Sequence, residues 1–159
     1  RISRVARSTP ATLLLKSMPR SKRCAASLEK LKRRALPDDQ LRHELIDGEH
    51  YVTPSPNLLH QELLKRLAFE LESHLRRHGG GRMFFAPLDC VLTDFDIVEP
   101  DLLLVTADQL HILTEQHIKG APALVVEILS HGTRKVDENI KRELYGRVGI
   151  DLFAGQQSL

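Results

Sequence analysis

The sequence predicts one mixed α/β domain, and three features predict it. Asp47-Gly48 lies between two β-forming runs, the strongest short-range hairpin signal. A long stretch after Asn57 carries apolar residues at helical spacing and stops at Gly79-Gly80-Gly81. Two short runs, Leu102-Leu103-Leu104-Val105 and Leu124-Val125-Val126-Glu127-Ile128-Leu129, are apolar on both faces, as central strands are when both sides of a sheet are covered.

The elements follow in order. Residues 1–36 are Arg- and Ser-rich, with eleven Lys/Arg against one acid, Glu29, a formal +10. Such a segment could neutralise phosphates, act as an organellar transit peptide, or be a disordered, solvated extension. No basic–aromatic interleaving of the kind single-strand binders use is present, so the solvated extension is expected. The lack of Met at position 1 fits a fragment. Leu28 and Leu31 permit a short helix over residues 25–34.

Leu36-Pro37-Asp38-Asp39 reads as a turn closing this extension. The hairpin around Asp47-Gly48 follows, then a Pro-rich loop, Thr53-Pro54-Ser55-Pro56-Asn57, that suits neither a ladder nor a helix interior. Asn57 is the expected N-cap of a helix reaching about Arg77. Its apolar stripe is Leu64, Leu67, Ala68, Leu71 and Leu75. At about 100° per residue, His60 lies about 40° from the stripe centre, on the buried side, and Glu62 on the wet side. Strands are predicted at 82–86 and 88–93, with Asp94-Phe95-Asp96 as a turn, then the two apolar strands with a short helix and loop between them. Thr133 or Asp137 caps a last helix with Val136, Ile140, Leu144 and Val148 as its stripe.

Composition narrows the function classes. The chain has 159 residues, 42% hydrophobic and 28% charged, enough for one domain with a real core and inconsistent with wholesale disorder. Two cysteines cannot build a disulfide framework, and no Cys/His zinc spacing occurs. The apolar runs are too short to span a bilayer. His74 and His78 stand at i, i+4 but lack a third ligand, so they fit the helix end, where a cation suits the dipole.

Two carboxylates occupy costly positions. Glu127 interrupts an apolar strand and Asp101 abuts another, and a buried carboxylate needs a partner or a metal. If the strands are neighbours, the two acids converge at one edge, where two carboxylates and a strand carbonyl suit Mg²⁺. The competing reading is an acid paired with an Arg, or one that caps a loop. Lys141 lies about 60° from the centre of the last helix's stripe, so its ammonium can reach over the sheet, whereas Lys135, on the far face, cannot; taken alone, Lys141 reads equally as a solvated helix lysine.

Leu36-Pro37-Asp38, His43-Glu44-Leu45-Ile46-Asp47-Gly48-Glu49, Ser55-Pro56 with His60-Gln61, Pro87-Leu88-Asp89, Pro100-Asp101-Leu102, Gly120-Ala121-Pro122, Val126-Glu127-Ile128-Leu129-Ser130, Thr133-Arg134 and Lys141-Arg142-Glu143-Leu144-Tyr145 occur in one order. As an ordered set they closely resemble the Uma-type restriction endonuclease family, a branch of the PD-(D/E)XK nuclease superfamily, over residues 36–150. The resemblance implies a restriction-endonuclease-like mixed sheet flanked by helices, with an N-terminal β-hairpin, and Mg²⁺-dependent (or Mn²⁺-dependent) hydrolysis of DNA phosphodiesters. Asp101 resembles the motif aspartate and Glu127 the acid of the (D/E)XK element, both as metal ligands. Leu129 stands where the orthodox lysine falls, and Lys141 on the following helix resembles its relocated form, completing a catalytic trio. Glu44 and His60 occupy motif positions and are expected to support the site.

Arg134, Lys135 and Arg142 form the expected DNA-binding patch, which matters because residues 37–159 carry twelve Lys/Arg against twenty acids, a formal −8. DNA is the expected partner, with no membrane association, a cytoplasmic location and a homodimer as the natural form for cutting both strands. One departure from the family is evident. After residue 150 the sequence reads Asp151-Leu152-Phe153-Ala154-Gly155-Gln156-Gln157-Ser158-Leu159, without the family's aromatic pair and acidic turn. The expected organisation is therefore a basic extension (1–36), an endonuclease-like domain (37–150) and a divergent tail (151–159), with the final core strand missing. A truncated or inactive relative that only binds nucleic acid or a protein partner is the alternative.

Overall fold

The hairpin that leads the domain is built on two residues with positive φ. In the computed structural model, which describes residues 3–4, 41–53, 55–129 and 137–156, β2 (Arg42–Ile46) and β3 (Glu49–Thr53) pair antiparallel. β1 (Ser3–Arg4) adds to the outer side of β3. Asp47 has φ 51° and Gly48 φ 74°, the left-handed pair that matches the twist of flanking strands in a two-residue turn. The turn is clamped from outside. Gly48 N–H donates to Phe95 O (3.0 Å) and Asp47 N–H to Asp96 Oδ1 (2.7 Å).

The helix α1 (Leu58–His78) begins where the cap chemistry requires: Asn57 accepts from His60 N–H at 2.8 Å. His60, Leu64 and Ala68 are its buried residues, and the Glu62 side chain faces solvent, as the helical wheel predicts. Gly79 N–H returns to Leu75 O and ends it.

Among the described residues the strands form two sheets. One runs β1-β3-β2-β6-β5-β8, with β5 (Cys90–Val91), β6 (Ile97–Val98) and β8 (Ile118–Lys119). The other runs β10-β9-β7-β4, with β4 (Gly81–Phe85), β7 (Leu102–Thr106), β9 (Leu124–Leu129) and β10 (Asp151–Gln156). A 3₁₀ turn, Ala107–Ile112, follows β7. The two apolar runs are neighbours in this second sheet, antiparallel with Leu102 opposite Val126.

Their apolarity on both faces has a direct cause. Leu102, Val126 and Ile128 pack with Leu64 and Ala68 of α1, whereas the alternating Leu103, Val105 and Val125 join Ile46, Tyr51, Cys90 and Leu144 on the opposite side. The fold class is therefore the predicted restriction-endonuclease-like mixed sheet with flanking helices and a leading hairpin.

Three local expectations change. The strand predicted over 88–93 is only Cys90–Val91, because Pro87 has no N–H and Leu92 N–H turns to Asp96 O (3.0 Å). The last helix opens with a π-helical turn, Asp137–Lys141, before the regular α2 (Arg142–Val148); Thr133 and Val136 lie outside the described residues. The final strand is not missing. Gly149, at φ 74°, reverses the chain, Ile150 N–H anchors to Tyr145 O (2.9 Å), and β10 runs parallel to β9 with Asp151 opposite Leu124 and Gln156 opposite Leu129. Strand pairing is a backbone interaction, so a divergent tail fills that edge without the family's side chains. The basic extension lies outside the described residues apart from β1.

Candidate active site

Five ionisable residues singled out in the sequence, Glu44, His60, Asp101, Glu127 and Lys141, meet at one end of β7 and β9. Extending the β7–β9 register by one residue sets Asp101 opposite Glu127, on the same side of the sheet. Both are buried, and a third buried acid, Glu44 of β2, shares the Lys141 ammonium with Glu127. Lys141 is buried as well, with Nζ 3.1 Å from Glu127 Oε1 and 2.9 Å from Glu44 Oε2. Lys141, Leu144, Tyr145 and Val148 stand at i, i+3, i+4 and i+7, so the lysine lies on the helix's inward stripe. Glu44 Oε1 accepts from Glu99 N–H at 2.8 Å, which fixes the acid under the lysine.

Asp101 is held by three donors of different kinds. Oδ2 receives His60 Nε2 (2.9 Å) and Ile128 N–H (2.7 Å). Oδ1 faces Arg42 Nη1 at 2.5 Å, a charge contact without the alignment of a hydrogen bond. Burial opposes ionisation of this carboxyl, but the His60 bond and the Arg42 charge outweigh it and hold the group down at about 2. His60 Nδ1 is buried without a hydrogen-bond partner.

Two members of the cluster were not singled out from the sequence. Arg42 shares a face of β2 with Glu44 by the two-residue strand period. Burial works against its charge, yet Asp101, Glu127 and Glu44 together raise its pKa above the usual guanidinium value. Tyr145 OH donates to Glu127 Oε1 at 2.7 Å; complete burial, followed by the charge of Glu127, pushes the phenol well above its ordinary value, so it stays a donor. The i, i+4 spacing from Lys141 was the available signal for Tyr145. For Arg42 it was only the alternation with Glu44.

The donor chemistry fits a hard divalent cation. Two carboxylates supply oxygen, and Asp101 Oδ1 is a buried oxygen left without a hydrogen bond. Among the described residues no group of three or more His, Cys, Asp and Glu could enclose a metal, so such a cation would keep several waters. Other candidates stand apart. Arg142 is exposed on α2, while Arg134 and Lys135 lie outside the described residues. His74 and His78 stack at 4.1 Å near the end of α1, with His78 Nδ1 on His74 O. Burial pushes the Cys90 thiol up to about 12, which removes it as a nucleophile. No described helix is long and apolar enough to cross a membrane.

The fold has known counterparts. Residues 28–154 match the sequence profile of Uma2, described as "Putative restriction endonuclease". The match begins inside the basic segment and ends inside β10. A crystal structure of a putative nuclease belonging to DUF820 from Anabaena variabilis ATCC 29413 superposes with a TM-score of 0.57 at 23% identity, covering 75% of this chain and 69% of that one. No curated protein matches. The structural likeness bears on the fold, and the profile match, which spans most of the chain, settles the family: the protein belongs to Uma2, the family described as putative restriction endonucleases.

Proposed function

We propose that the protein is a Mg²⁺- or Mn²⁺-dependent DNA endonuclease, active in the cytoplasm, with Asp101 and Glu127 as metal ligands and Lys141 as the third catalytic group. The observation that carries this is the placement of two carboxylates opposite one another on adjacent strands, one with an oxygen free of hydrogen bonds, beside a buried lysine. A bound cation would lower the pKa of a coordinated water and polarise the scissile phosphate.

The chain's own residues do the rest. His60 and the Ile128 N–H fix the orientation of Asp101, and Tyr145 with Lys141 fixes Glu127 Oε1. Glu44 holds the Lys141 ammonium where it can align the attacking water and offset charge developing on the phosphate. Arg142, with Arg134 and Lys135, supplies cations for the DNA backbone. Cutting both strands would use two copies, which light scattering of the purified chain can measure.

A second reading keeps one observation of its own. Lys141 is shared between two carboxylates, as in a purely structural network, so an inactive relative that only binds nucleic acid or a protein would look alike here. Plasmid nicking separates them. Wild type should nick with Mg²⁺ or Mn²⁺ and Glu127→Ala should not. Equal cleavage by both removes the site assignment, and DNA binding without cleavage by wild type supports the second reading.

A further inference from the structure

We infer that Arg42 neutralises Asp101 in the metal-free protein and contacts the phosphodiester in the metal-loaded one; this rests on the cation-dependent nuclease proposed above. Asp101 offers a cation only one oxygen. Oδ2 is taken by His60 and the Ile128 N–H, so a metal must use Oδ1, the atom Arg42 Nη1 faces at 2.5 Å. Two cations at contact with one oxygen repel strongly, and a guanidinium cannot relieve this by losing its proton. It has to move or be offset.

Arg42 is the member of the cluster best placed to move. Its side chain is 15% exposed, against 3% for Asp101, 4% for Glu127, 3% for Lys141 and 1% for Glu44. Its other bond, to Glu99 O, is long at 3.4 Å. Among these five side chains Arg42 therefore has the most access to solvent, from which a substrate must enter.

Formal charge points the same way. Glu44, Asp101 and Glu127 against Arg42 and Lys141 leave the named cluster at −1. A divalent cation turns this to +1, and one phosphodiester brings it to zero. The loaded site is thus balanced for a single phosphodiester only if Arg42 stays charged and nearby. Its planar fork is suited to two phosphate oxygens.

The test is calorimetric titration of Mn²⁺ into the full chain for wild type, Arg42→Lys, Arg42→Gln and Asp101→Asn, with thermal melts of each. With the competing positive charge removed, Mn²⁺ should bind most tightly to Arg42→Gln, next to Arg42→Lys and least to wild type, with Arg42→Gln gaining on the order of tenfold. At saturating metal, Arg42→Gln should cleave DNA more slowly than wild type. Unchanged or weaker Mn²⁺ binding in both Arg42 variants overturns the inference while leaving the cation site standing. Undiminished cleavage by Arg42→Gln overturns the phosphate contact. Absence of Mn²⁺ binding by wild type, or binding undiminished in Asp101→Asn, overturns the cation site and this inference with it. Should Arg42→Gln remain unfolded, Arg42→Lys decides: tighter binding than wild type supports the inference, and equal or weaker binding overturns it.

Discussion

Asp96 and Asp101 are five residues apart and each is 2% exposed, yet their surroundings differ in kind. Asp96 has a neutral hydrogen-bond donor on each oxygen: Asp47 N–H of the hairpin on Oδ1 at 2.7 Å and Thr93 Oγ1 of its own turn on Oδ2 at 2.5 Å, with the Arg147 guanidinium farther off at 3.6 Å. Asp101 has one oxygen filled by His60 and a backbone N–H and the other left to a guanidinium, across the strand from a second acid. Equal burial therefore conceals two jobs. A carboxylate held by the hairpin backbone and a turn hydroxyl locks the hairpin tip, whereas the one with an oxygen left to a guanidinium is the one proposed to take a cation.

The comparison can be broken first at Lys141, the cation that the two other acids share. Lys141→Met leaves Glu44 and Glu127 buried without it, and breaking such a pair costs about 3–5 kcal/mol. Chemical denaturation should register that as a large fall in midpoint; a change under about 1 kcal/mol would mean the cluster is wetter than its burial indicates.

A smaller and sharper contrast comes from the two aspartates themselves. Asp96→Ala strands the Asp47 N–H and the Thr93 hydroxyl and should cost about 1–3 kcal/mol while leaving metal-dependent nicking intact once folded. Asp101→Asn should do the reverse, abolishing nicking with the fold retained by circular dichroism. Loss of nicking in both would erase the distinction.

Acid offers a third approach. Asp101 is held at about 2, below its ordinary value of 3.8, so its contribution is fully present above pH 4. Stability should fall as the pH drops from about 4 toward about 2, and less steeply in Asp101→Asn. An identical acid profile for both proteins would remove the charge contacts as its source. The smallest effect belongs to the α1 surface, where Lys65 and Arg66 reach Glu62 at 2.6 and 3.1 Å. These distances match those in the buried cluster, but water screens the exposed pairs, so Glu62→Gln should leave Tm unchanged within error.

Much of this was legible because it depends on local chemistry. Asp47-Gly48 specifies a turn, Asn57 a cap, and the spacing of His60, Leu64 and Ala68 a buried face, all before any long-range contact is known. Glu127 and Asp101 were conspicuous because a charge beside an apolar run is costly wherever the run is buried. Arg42 was not conspicuous. Arginine at the start of a hairpin strand is ordinary in sequence, and only the meeting of β2 with the end of β7 gives it a carboxylate partner. The tail misled for a related reason: its side chains do not resemble the expected strand, but the edge of β9 needs only a backbone.

The sequence by itself determined the periodicities, the caps, the turn and the residues too polar for their neighbourhoods, since these follow from chemistry within a few residues. Tertiary structure alone decided which charges meet: that Glu44 and Glu127 share one lysine, that Tyr145 closes on Glu127, and that Oδ1 of Asp101 pairs with Arg42. Pairing between residues many positions apart is set by sheet register and helix packing, and no local pattern encodes either.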